Sequence, residues 1–274
     1  MSSLQTTASN ATPEPIPLLD LRRQYDGIRE EVLAAIARVC DSQSFILGPE
    51  VEALEREISA LTGAASAAGC ASGTEALWLA LVAAGVKPGD AVITTTFSFF
   101  ASASAIVRAG ATPVFADADA GTLNLDAAFV DRYLRAKPRE NLRAILPVHL
   151  YGQCADMDAF DRIAREFGVA IVEDAAQAIG AEWNGRGAGS LGVSAAFSFY
   201  PTKNLSAYGD AGMATTTHPE MAEHMRRLRN HGSPRRYCHD EFGWNGRMDA
   251  IQAAVLRVKL RHLADWTRRR QQHA

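Results

Sequence analysis

The feature that most constrains this chain is an alternation of short β-rich runs with amphipathic helical stretches through its middle. Apolar runs at Ala91–Thr95, Thr112–Ala116, Ala144–His149 and Ala170–Glu173 are separated by helical periodicity over Ser98–Arg108, Asp126–Leu134 and Asp156–Phe167, the last ended by Gly168. The runs are short and apolar throughout, as strands covered on both faces must be. Strand, crossover helix and strand together make the βαβ unit. The fold class expected is therefore α/β, in three layers, with a mostly parallel central sheet between helices. In such sheets ligands sit beyond the C-terminal ends of the strands. Residues at those ends are the candidates for chemistry.

The flanks are helical. Leu21, Tyr25, Ile28, Val32, Leu33, Ile36 and Val39 share one helical face, and Val51, Leu54, Ile58 and Leu61 another, ended by Gly63. After Gly187 the pattern tightens to β-like runs at Ala195–Tyr200 and Gly212–Thr217. A helix with Met225 and Leu228 follows, then a long helical stretch carrying Ile251, Val255, Val258, Leu260, Leu263 and Trp266. No repeat of 20–50 residues is present.

Composition excludes several classes. With 274 residues, 47% hydrophobic and 22% charged, the chain is globular in make-up. A chain this long buries roughly three quarters of its unfolded surface and needs no disulfide staples. Its four cysteines, Cys40, Cys70, Cys154 and Cys238, have no paired spacing and point to a reducing, cytoplasmic setting. The opening MSSLQTTASNATPEP reads as a disordered tail (1–15), not a signal peptide. The longest near-apolar run, Ala76–Val86, is far below the ~20 residues of a bilayer span. Charge is uneven: Met221–Ala274 carries 12 Lys and Arg against 5 Asp and Glu, a local +7, and the rest carries −10. A basic end of this kind suits nucleic acid, an anionic small ligand or a solvated helix face.

Three positions combine chemistry with context. Ser72-Gly73-Thr74-Glu75 opens an apolar helix with the serine-to-glutamate spacing of a capping box, and its glycine lets an anion approach the free amides. A plain helix start has the same pattern. Asp174 ends a buried run, where a carboxylate either meets a ligand or caps the next helix. Lys203 follows a β-rich run and a proline-fixed turn, Tyr200-Pro201-Thr202, and Gly209 and Gly212 lie just beyond. Most lysines are solvated; a desolvated one there can form a Schiff base. Gly187-Ala188-Gly189-Ser190-Leu191-Gly192 matches the dinucleotide fingerprint, but an aromatic, strand-like run follows it instead of a helix, so that reading fails. His231, Cys238 and His239 are too irregular for zinc, so no metal is expected, and no G-x-S-x-G or Walker A segment occurs.

An anion site, a strand-end carboxylate and a Schiff-base lysine are together what pyridoxal phosphate requires. Here the chain resembles the DegT/DnrJ/EryC1/StrS sugar aminotransferases, fold-type-I pyridoxal phosphate enzymes. The likeness runs from about Ile16 to the C-terminus, through FILGPEVEALE, SGTEAL, VHLYGQ, VEDAAQAIGA, SFYPTKNLSAYGDAG, RNHGS and GWNGRMDAIQAAVLRVKL. The resemblance implies that Lys203 carries the cofactor as a Schiff base and Asp174 pairs with its pyridine nitrogen. It implies that Gln177 meets the 3-hydroxyl side, Phe99 stacks on the ring, and Gly73, Thr74 and Ser198 hold the phosphate. Asn245 resembles an asparagine lent to that phosphate by the partner of a homodimer. His149 and Tyr151 lie in a family motif without an assigned role.

The activity so implied is amino transfer, in the family usually from glutamate, to a nucleotide-linked keto sugar of amino-sugar, polysaccharide or antibiotic-sugar biosynthesis. Dehydratase relatives replace the lysine by histidine; Lys203 favours transamination. The alternatives are a catalytically impaired cofactor-binding fragment, or a regulatory, nucleic-acid-binding protein, for which the aromatic interleaving is thin. Family members run roughly another hundred residues, about one more domain. The organisation expected is therefore a tail (1–15), a helical segment (16–48), a cofactor-binding large domain (49–245) and a connecting helix (246–274), with the small C-terminal domain largely absent.

Overall fold

A computed structural model describes residues 17, 19–137, 141–235 and 237–274; the expected tail lies outside them. Helices α1 (Leu21–Asp26) and α2 (Arg29–Ser42) replace the single helix expected at the start. They part at Gly27, whose amide closes a tight turn onto the Tyr25 carbonyl. Helix α3 (Pro49–Thr62) has proline in its first turn and stops at Gly63 with φ 76°, a left-handed cap. Strand β1 (Ser66–Cys70) comes next, then α4 (Gly73–Ala83), β2 (Ala91–Thr95), α5 (Ala101–Arg108) and β3 (Thr112–Ala116). Helix α6 (Ala127–Ala136), β4 (Leu142–Leu146), α7 (Met157–Phe167) and β5 (Ala170–Asp174) complete the alternation. A small hairpin, β6 (Glu182–Trp183) and β7 (Arg186–Gly187), turns at Asn184-Gly185, where both residues have positive φ. Strands β8 (Ser194–Ser198) and β9 (Gly212–Thr216) lead to α8 (Pro219–Leu228), α9 (Ala250–Leu260) and α10 (Leu263–His273).

Seven strands form one sheet in the order β1-β9-β8-β5-β4-β2-β3. The pairs from β8 through β3 are parallel, while β9 runs antiparallel to both β1 and β8. The expected mostly parallel sheet is present. Strand β1 was not legible because SAAGC carries no β-branched or aromatic residue; pairing with β9 makes it a strand. The expected strand over Ala144–His149 lies two residues earlier, and its tail becomes the turn holding His149.

Successive strand residues enter opposite cores. Ile93, Ile145, Ile171, Phe197 and Met213 face helices α3, α6, α7 and α9. Their neighbours Val92, Ala144, Val172, Ala196 and Ala214 face α4, α5 and α8. Helix α4 is apolar around its whole circumference, with Leu77, Leu79 and Leu81 fully buried; each such side chain contributes about 1.5–3 kcal/mol. A third cluster joins α2 to α9 through Val32, Ala35 and Val39 against Ala254, Val255 and Val258. The turns following β1, β2, β5 and β8 emerge on one edge of the sheet, and the cleft opens there.

Candidate active site

Three strand ends build the cleft, about 470 Å³ in volume. Beyond β1, Ser72 caps α4 by accepting the Glu75 amide at 3.1 Å. The capping box is only half formed, because Glu75 turns away to take a bidentate pair from Arg108. The first-turn amides of Gly73 and Thr74 have no intrahelical partner and lie at the positive end of the helix. Gly73 is required by close approach: a Cβ there would fall 2.5 Å from Ser198 Cβ, at the end of β8. The Ser198 hydroxyl and the α4 terminus thereby share one wall.

Beyond β5, Asp174 is 4% exposed. One carboxylate oxygen accepts the Ser102 hydroxyl of α5 at 2.7 Å and the other the Ala176 amide at 3.2 Å. Each oxygen retains lone-pair capacity toward the cleft. Burial pushes its carboxyl above the usual range, opposed by Ser102, by the Ala176 amide and by charges including Lys203. Gln177 lies three residues on and accepts the Tyr151 amide at 2.7 Å.

Beyond β8, the turn at Tyr200–Lys203 closes with the Lys203 amide on the Tyr200 carbonyl at 2.8 Å. Burial holds the Lys203 ammonium below the ordinary lysine range, and Asp174 opposes that shift. Phe99, between β2 and α5, is 76% exposed at the rim. Gly73, Thr74, Phe99, Asp174, Gln177, Ser198 and Lys203 thus all line one cleft. Asn245 does not; it is exposed and bridged to Asn230.

Sequence reasoning missed Ser102 and Glu173. Glu173, fully buried, accepts the amides of Gly189, Leu191 and Gly192 at 2.8 Å each. His149 completes the knot: its Nδ1 accepts the Ala155 amide at 3.1 Å, so Nε2 carries the proton toward Glu173 at 3.0 Å. The glycine-rich run that imitated a dinucleotide motif is therefore a loop wrapped around a buried carboxylate. Its signal was present, since an acid inside a buried strand needs donors and a glycine loop supplies bare amides. Ser102 carried no such signal.

The donor set fits pyridoxal phosphate. Free helix amides suit the phosphate, a carboxylate with spare acceptor capacity suits a protonated ring nitrogen, and a desolvated amine suits the aldehyde.

Comparison with known proteins agrees. The DegT/DnrJ/EryC1/StrS aminotransferase family model matches residues 26–274. A pleiotropic regulatory protein of Geobacillus stearothermophilus is 50% identical over 94% of the chain and 68% of its own length. The dTDP-3-amino-3,4,6-trideoxy-α-D-glucose transaminase of Streptomyces venezuelae is 46% identical over 96% of the chain and 68% of its own length. The crystal structure of S. venezuelae DesV in complex with a ketimine intermediate superposes with a TM-score of 0.90 at 47% identity, covering 93% of this chain and 68% of that one. The chain spans about two-thirds of the length of such relatives. It belongs to the DegT/DnrJ/EryC1/StrS aminotransferase family and has the fold-type-I architecture of pyridoxal phosphate enzymes.

Proposed function

We propose that this chain holds pyridoxal phosphate in the strand-end cleft and transfers an amino group, from glutamate or a similar amino acid, to a keto sugar carried on a nucleotide. The observation that carries the reading is the meeting of a buried strand-end carboxyl, Asp174, and a desolvated lysine, Lys203, at the open N-terminus of α4. The S. venezuelae transaminase, named for a dTDP-linked sugar, supports the substrate class. Within this reading, residues 49–245 act as the cofactor domain, flanked by helical segments at 16–48 and 246–274.

The Gly73 and Thr74 amides and the Ser198 hydroxyl hold the phosphate, Phe99 covers the ring, and Gln177 meets its 3-hydroxyl side. Asn245 would reach across to the same phosphate in the other protomer of a homodimer, in keeping with its exposure and with its not lining the cleft of its own chain. When bound, the cofactor supplies an electron sink for negative charge at the amine-bearing carbon of the substrate. Asp174 keeps a proton at the ring nitrogen. Lys203 would hold the cofactor through its amine and, as the free amine, would move a proton at the substrate carbon. Burial lowers its proton affinity and raises the fraction of free amine able to accept. The apolar floor of Leu77, Val148 and Leu150 limits water near that carbon. Free cysteines at 40, 70, 154 and 238 support a cytoplasmic setting.

The test is reconstitution of the purified chain with pyridoxal phosphate, followed by borohydride reduction and peptide mapping. A yellow protein with the label on Lys203, absent from Lys203→Ala, is the expected outcome. A colourless, unlabelled wild-type chain rejects the reading.

A further inference from the structure

A second lysine, hydrogen-bonded to the chain three residues beyond Lys203, takes no part in this chemistry. Lys259, on α9, is 2% exposed. Its Nζ donates to Ser206 Oγ at 2.9 Å and lies 4.3 Å from the centre of the Tyr208 ring. Burial pushes its ammonium down to about 8. Among the described residues it forms no ion pair with a carboxylate. The acids on the adjoining helices serve other cations: Glu50 and Glu57 of α3 hold Arg257, and Glu31 of α2 holds Arg261 and His262. Tyr25 of α1 meets Tyr208 edge-on at 6.0 Å.

A buried cation with no counter-ion is strongly unfavourable, and a methionine would fill the same space without that penalty. What the charge obtains in return lies entirely on one segment, the return limb from Lys203 to β9. Helix α9 grips that limb twice more through Gln252, whose Oε1 accepts the Tyr208 amide at 2.8 Å and whose Nε2 donates to the Tyr208 carbonyl at 3.4 Å. The limb is closed at its base by the Ala207 amide on the Phe199 carbonyl at 2.8 Å. Lys203 stands between Phe199 and Ala207, so whatever fixes Ser206 and Tyr208 also limits where its amine points.

We propose that Lys259 is a positioning residue that clamps Ser206 and Tyr208 onto α9 and so fixes the loop presenting Lys203 to the cleft. The clamp itself stands on geometry; its consequence for the cofactor rests on the function proposed above.

Hydrogen exchange of the full chain without cofactor tests the clamp directly. In Lys259→Met and in Ser206→Ala, amides of residues 204–211 should exchange about tenfold faster, the effect of losing one charge-assisted hydrogen bond, with α2 and α3 unchanged. Ser206→Thr, which keeps a hydroxyl, should restore protection. Pyridoxal phosphate affinity should fall in both weakened variants and recover in Ser206→Thr, by the fraction of chains whose loop has left the competent state. Unchanged exchange at 204–211 in folded Ser206→Ala, or a Ser206→Thr variant as open as Ser206→Ala, overturns the proposal. If Lys259→Met does not fold, the two serine variants decide. If the wild-type chain binds no pyridoxal phosphate, the function fails while exchange still decides the clamp.

Discussion

Asp174 is held where a carboxyl is least comfortable. Its pKa is raised, so the folded state favours the protonated acid. The stability this group contributes is complete below the ordinary carboxylate pKa and is lost as pH rises through the raised value. In the cofactor-free protein at neutral pH, Asp174 is therefore a net burden. Asp174→Asn, whose amide oxygen can take the Ala176 amide while the Ser102 hydroxyl turns to accept from the amide nitrogen, should raise the Tm at pH 7. That gain should vanish as pH falls toward about 4, and it should be accompanied by loss of cofactor binding. Thermal melts across pH, with and without pyridoxal phosphate, check all three; a lower Tm for the variant at pH 7 contradicts them. At this scale the sequence marked Asp174 and Lys203 as candidates, because an acid at a strand end and a lysine on a proline turn have recognisable contexts. Ser102 was invisible, since its partner is 72 positions away and is reached through the packing of α5.

At the scale of elements, the knot around Glu173 ties β5 to the loop preceding β8. Four donors converge on one fully buried carboxylate. Glu173→Gln turns two acceptor sites into donors that face other donors. We expect a loss of about 3 kcal/mol in urea unfolding, with faster proteolysis at 187–192. A midpoint within error of wild type would falsify this account of the loop. Helices were legible wherever a cap or glycine stop bracketed a periodic face, as α3 and α7 show with Gly63 and Gly168. Strand β1 and the α1–α2 and α9–α10 breaks were not, because each depends on what packs against it.

At the scale of the whole molecule, part of the +7 segment is tied into ion pairs within the fold. Arg226 and Arg229 pair with Glu55, Arg227 with Glu241, Arg257 with Glu50 and Glu57, and Arg261 with Glu31. The exposed pairs among these are worth about 0–1 kcal/mol each, whereas Arg229–Glu55 is buried, and each acid offsets the positive charge beside it. The chain should therefore not retard duplex DNA at physiological ionic strength, and a salt-sensitive shift there would revive a regulatory reading. No helix among the described residues is long and apolar enough to cross a membrane. The sequence by itself determined the α/β alternation, the two-faced sheet and the candidate residues at the strand ends, because periodicity and local context are properties of neighbours along the chain. The tertiary structure alone decided that β9 runs antiparallel and that Gly73 meets Ser198. It also decided that Ser102 holds Asp174 and that a lysine on α9 grips the loop of Lys203. Those contacts join residues tens of positions apart, and only close packing in three dimensions selects among them.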